Sequence, residues 1–128
     1  MRDLLFKGKR KDTGEWVEGG YYLEPYTDKV FIIRWNSMGL GFNEFIECEK
    51  DSICEYIGQR GKNGERIWEN DIVTGYFNRE KITGMILYGS DSSFFIERKG
   101  LWGIHLNNAE DWVEVIGNII DNPDLLKQ

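Results

Sequence analysis

Residue types that could do chemistry are few in this chain. There is one histidine, His105, and there are two cysteines, Cys48 and Cys54. Histidine titrates near neutral pH, so it is the usual general acid or base. His105 sits inside Trp-Gly-Ile-His-Leu, an apolar run that reads as a strand, and there it has the setting of a hydrogen-bonded structural residue. A Cys–His nucleophile would need His105 to meet Cys48 or Cys54 in space, and nothing in the spacing arranges that. Two cysteines and one histidine also fall short of the usual structural zinc sets. Carboxylates pair at Glu69/Asp71 and Glu110/Asp111. Glycosidic chemistry wants two carboxyls facing each other across a cleft, which sequence neighbours rarely provide. Asp71 instead fits a turn acceptor for backbone N–H groups, and Glu110-Asp111 a polar turn. No catalytic set, cofactor site or metal site is expected.

The remaining candidates are clusters of cations. The loop Gly58-Gln-Arg-Gly-Lys-Asn-Gly64 carries Arg60 and Lys62, with Arg66 just beyond. It is not a Walker loop, because no Ser or Thr follows the lysine in frame and no helix follows. It lacks the strand, glycine turn and helix of a dinucleotide site. It also lacks the helices that flank a GxxG nucleic-acid clamp. A hairpin-like solvated loop or a cationic interaction tip, Arg60, Lys62 and Arg66, are the two readings. Lys7, Lys9, Arg10 and Lys11 form a second basic run, read as an edge strand and turn whose lysines discourage edge-to-edge pairing. Net charge is −6, with a pI near 4.8, which disfavours a general nucleic-acid binder.

The elements that must position these groups are mostly strands. Leu4–Lys9 and Glu15–Leu23 read as a hairpin around Asp12-Thr13-Gly14. Val30–Trp35, Phe42–Glu49 and Ile53–Ile57 follow, with a loop at 36–41 and a turn at Lys50-Asp51-Ser52. Beyond the glycine loop, five short strands are expected at Asp71–Phe77, Ile82–Tyr88, Ser93–Arg98, Leu101–Leu106 and Val113–Ile120. The one good helix start is at the end, where Asp121 or Asn122 precedes Pro123 and Asp124. The predicted class is mainly β: an N-terminal meander subdomain over 1–57, then a small barrel over 58–128 closing with a short helical turn. At 128 residues the chain is long enough for a real core. Aromatics make up 14% of it, including five tryptophans; most belong in the core and one or two at a partner surface. No signal peptide or membrane-length apolar run is read, so a cytoplasmic protein with reduced thiols is expected.

The stretch Glu55–Val73, EYIGQRGKNGERIWENDIV, resembles the central motif of the YopX proteins, small proteins encoded mostly by bacteriophages and prophages. The opening LFKGKRKDTGEWVEGGYY and the ending VEVIGNIIDNPDLL are similar to that family's two ends. The family commonly has glycine where this chain has Asn70, and Asn is the next most tolerant residue if φ is positive there. The resemblance implies an N-terminal β-subdomain followed by an SH3-like barrel in a bacterial host cell. It brings no activity or cofactor to carry over. Gly58, Gly61, Asn63, Gly64, Trp68, Asp71, Gly117, Asn118 and Pro123 then read as markers of the fold. The expected role is a non-enzymatic, self-associating interaction module whose partner is a second copy or a host or phage protein. The alternative is an SH3-like barrel that binds nucleic acid through Lys7, Lys9, Arg10, Arg60, Lys62 and Arg79.

Overall fold

The computed structural model describes residues 4–34, 44–90 and 93–126. Trp35, the expected loop 36–41, Phe42 and Asp91 lie outside the described residues. The protein is mainly β and divides into two compact units, Met1–Tyr56 and Ile57–Gln128.

In the first unit, β1 (Phe6–Lys9), β2 (Trp16–Leu23), β3 (Val30–Arg34) and β4 (Glu44–Cys48) form an antiparallel meander. Alternation sets the inner face: Val17, Val30, Ile32, Ile46 and Cys48 are buried together, with Phe6 and Ile53 against them. Gly8 sits where a Cβ would come within 3.0 Å of the Cys48 Sγ, so β1 approaches the β4 end as only a glycine can. The expected edge position of β1 is incorrect. It pairs with β2 on one side and, through Phe6↔Glu55 and Lys7↔Cys54, with β5 (Cys54–Arg60) on the other. Its continuation also reaches β4: Arg10 bridges Cys48, Lys11 N–H donates to the Glu47 carbonyl at 3.0 Å, and Glu49 N–H donates to the Lys9 carbonyl at 2.8 Å. The meander therefore curls back on itself, and the C-terminal end of β4 is covered. A 3-10 turn at Lys50–Ser52 joins β4 to β5, and its buried Ser52 Oγ accepts the Lys9 N–H at 2.9 Å.

Strand β5 crosses the division between units and runs on to Arg60, three residues past the expected end. Gly58 is thus a strand residue with φ +86°, and the expected seven-residue loop shrinks to a tight turn before β6 (Arg66–Trp68). In that turn Gly61 N–H donates to the Glu65 carbonyl at 2.8 Å.

The second unit's main sheet comprises β7 (Asp71–Phe77), β8 (Glu80–Tyr88), β9 (Phe94–Glu97), β10 (Ile104–His105) and β11 (Glu114–Asn118). It is antiparallel in the order β10-β9-β8-β7-β11. Asn78 and Arg79, both at positive φ, make the two-residue β7–β8 turn, whose backbone twist suits the twist of paired strands. Ile57, Ile67, Val73, Ile82, Ile86, Phe94, Ile96, Ile104, Leu106, Ala109 and Val113 form one core. The expected strand 101–106 is only two residues long. The expected polar turn at Glu110-Asp111 is a single helical turn, α1 (Ala109–Trp112). Asn108 before it is left-handed and gives no side-chain cap. The Gln59 amide steadies the turn instead, donating to the Leu106 carbonyl at 3.1 Å and accepting the Ala109 N–H at 3.3 Å. A 3-10 turn at Pro123–Leu126 ends the described chain, where a helical turn was expected.

Candidate interaction surfaces

The polar residues singled out in the sequence are mostly engaged in holding the strands. Asp71 is 2% exposed, and its Oδ2 accepts the Trp68 N–H at 2.8 Å. The turn between them places Asn70 at φ +74°, the conformation its match to a glycine position implied. The Asn70 N–H donates to the Ile86 carbonyl and its carbonyl accepts the Ile119 N–H, so this turn ties β8 to the segment after β11. A buried carboxylate used as a backbone acceptor is architecture.

The cationic turn is engaged in the same way. Arg60 Nη1 donates to the Gly64 carbonyl at 2.8 Å, and Lys62 Nζ lies 3.3 Å from the Glu114 carboxylate. Lys62 N–H donates to the Val113 carbonyl at 2.8 Å. Glu65 Oε1 accepts the Val115 N–H at 3.3 Å. Gly61 is buried where a Cβ would meet the Glu65 carboxylate and the Val113 carbonyl. The turn, with exposed Asn63 at its tip and half-buried Arg66 on β6, is a clip on the start of β11.

In the first unit, Lys7 and Lys9 lie over the Trp16 ring, 4.5 and 5.6 Å from its centroid. Arg10 holds Asp12 through two hydrogen bonds of 3.0 and 3.1 Å, which keeps the Asp12 carboxyl below its usual range and raises the guanidinium. Lys11 pairs with Glu47 at 3.3 Å. Both thiols are free and buried, and burial pushes the Cys48 thiol up, away from the reactive thiolate. His105 is exposed on β10, and Glu110 and Asp111 are exposed on α1. Among the described residues, no group of three or more His, Cys, Asp and Glu side chains is placed to hold a metal ion.

Gly117, Asn118 and Pro123 close the C-terminal turn. Asn118 Oδ1 accepts the Asp121 N–H at 2.8 Å, Asn122 Oδ1 accepts the Asn118 N–H at 3.2 Å, and a Cβ on Gly117 would lie 2.6 Å from that Asn122 oxygen. Trp68 is buried, and Trp112 packs on Phe77 while donating its indole N–H to the Asn107 carbonyl at 2.9 Å. Trp102 is 89% exposed.

What sequence reasoning missed is apolar surface. On the outer side of β2–β4, Tyr22, Phe31 and Phe45 touch pairwise, with centroids 6.1 to 6.4 Å apart. Phe45 is 57% exposed and Tyr22 41%. The signal was present in Val30-Phe31-Ile32-Ile33, where both alternating faces are apolar although one face suffices for a core. Beside Phe45, between the Arg10–Asp12 turn and β4, lies a groove of about 280 Å³.

These features define a mainly β protein of two antiparallel units whose accessible chemistry is aromatic and amphipathic surface. The chain belongs to the YopX family: the family model for YopX protein matches residues 5–127. Among solved structures, protein EF1440 from Enterococcus faecalis is similar in fold, with a TM-score of 0.59 and 24% sequence identity, over 98% of this chain and 99% of that one. No curated protein matches the chain. Among the described residues no helix is long and apolar enough to cross a membrane.

Proposed function

We propose that this is a non-enzymatic protein-interaction module that associates with a second copy of itself through the outer face of β2–β4. One observation carries the reading: three rings form a continuous patch on the solvent side of a sheet that already buries its other face. Exposed clusters of this kind are the usual anchors of protein interfaces. The start of β4 adds to it. The cover supplied by Arg10 and Lys11 reaches Glu47 and Cys48, and Phe45 lies just before them. The aromatic patch, more than an unprotected edge, thus motivates self-association.

The nucleic-acid reading draws less support, because Lys7, Lys9, Arg10, Arg60 and Lys62 already have partners within the protein. Two buried free thiols fit a reducing compartment, so we place the protein in the bacterial cytoplasm. A phage or prophage origin is part of the same proposal, in keeping with YopX membership, and the short strands of the second unit suit an SH3-like barrel. Light scattering across a concentration series tests the reading. It predicts a mass above that of one chain at micromolar concentration. A single-chain mass throughout the series contradicts it.

A further inference from the structure

The Ile57–Gln128 unit carries a separate surface that does not depend on self-association. A groove of about 440 Å³ lies on the outer side of β8, bounded by the residues after β9 and by the C-terminal 3-10 turn. Its apolar lining comes from Ile82, Met85, Leu101, Leu125 and Leu126. Lys81, Arg98 and Lys99 face it with Glu80 and Glu97, so three cations less two carboxylates leave +1 on a chain of net charge −6.

These cations differ from several others in the chain. Arg10, Lys11, Arg34, Lys50 and Lys62 each meet a carboxylate, at 3.8 Å or closer. Arg98 is committed to the Trp102 carbonyl through Nε at 3.1 Å and Nη2 at 2.7 Å. For the Lys81 and Lys99 side chains no ion pair or hydrogen bond is found among the described residues. The groove therefore offers an apolar floor and two ammonium groups with no direct ion pair among the described residues. Trp102 stands next to Leu101, its backbone clamped by Arg98 and its side chain in solvent.

We propose that this groove docks a short extended segment of a partner protein in which aliphatic residues alternate with Asp or Glu. Aliphatic side chains cover the leucines and Met85, and carboxylates meet Lys81 and Lys99. The apolar lining, which gains nothing from a charged sugar-phosphate chain, opposes a phosphate backbone at the same place.

The test is fluorescence anisotropy at low salt with a labelled peptide of Asp-Leu repeats. A Lys-Leu repeat and a labelled oligothymidylate serve as competing chemistries. The Asp-Leu peptide saturates the wild type, and the Lys-Leu and oligothymidylate probes do not. The variant Lys81→Glu/Lys99→Glu weakens binding about tenfold, while Lys29→Glu, an exposed cation of the first unit, changes nothing. Circular dichroism confirms that both variants are folded. Failure of the Asp-Leu peptide to saturate, equal affinity in the double variant, or tighter binding of either other probe overturns the proposal.

Discussion

At the scale of single residues, the polar groups of this protein spend their hydrogen bonds on the backbone. Asp71 is the clearest instance. Its carboxylate satisfies the Trp68 N–H inside the core, and Asp71→Ala removes that buried acceptor. The expected loss is about 1–3 kcal/mol of folding stability, read as a lower urea midpoint. Wild-type stability in that variant would remove Asp71 from the account. The roles of Asp71 and Asn70 were legible in sequence because both are local. An acid three residues after a donor, and an Asn at a position that takes positive φ, need only their own turn. The engagement of Lys62 and Lys11 was not legible. Glu114 and Glu47 reach Lys62 and Lys11 only through strand register, which neighbouring residues do not reveal.

At the scale of elements, close approach at glycines sets the fit. Gly117 sits under the C-terminal turn, with the Leu125 Cδ1 2.7 Å and the Asn122 Oδ1 2.6 Å from where a Cβ would be. Gly117→Ala must push that turn outward, at about 1–3 kcal/mol, and hydrogen exchange of the Asn118 and Asn122 amides should rise with it. Unchanged protection of those amides would mean that the turn is not held there. The strands were read well where alternation and turn chemistry agree, as in the β7–β8 hairpin around Asn78-Arg79. They were misread where composition alone spoke. Leu101-Trp102-Gly103 is apolar, yet Arg98 holds the Trp102 carbonyl out of the ladder and only Ile104–His105 pair with β9. The helical turn at Ala109 was missed because Gln59, fifty residues away, does what a local cap would.

At the scale of the whole molecule, two cores and two exposed surfaces divide the work. The cysteines report on the first core. With Cys48 and Cys54 buried and the Cys48 thiol pushed up, a disulfide reagent at mildly alkaline pH should leave the native protein unmodified and titrate two thiols after denaturation. Fast modification of the native state would mean that this sheet opens readily. The surface function was the least legible property, since burial of one sheet face and exposure of the other is a fact of topology. Which aromatics stand at a surface was not assigned from sequence; the meander puts Phe31 and Phe45 together on its outer face.

The central claim is that this outer aromatic face joins two copies of the chain. Sedimentation equilibrium of Phe45→Glu beside the wild type tests it most directly, because Phe45 is exposed and its replacement spares the inner core. The account predicts a wild type heavier than one chain and a folded variant that sediments as a monomer. Identical association of the two proteins would contradict it.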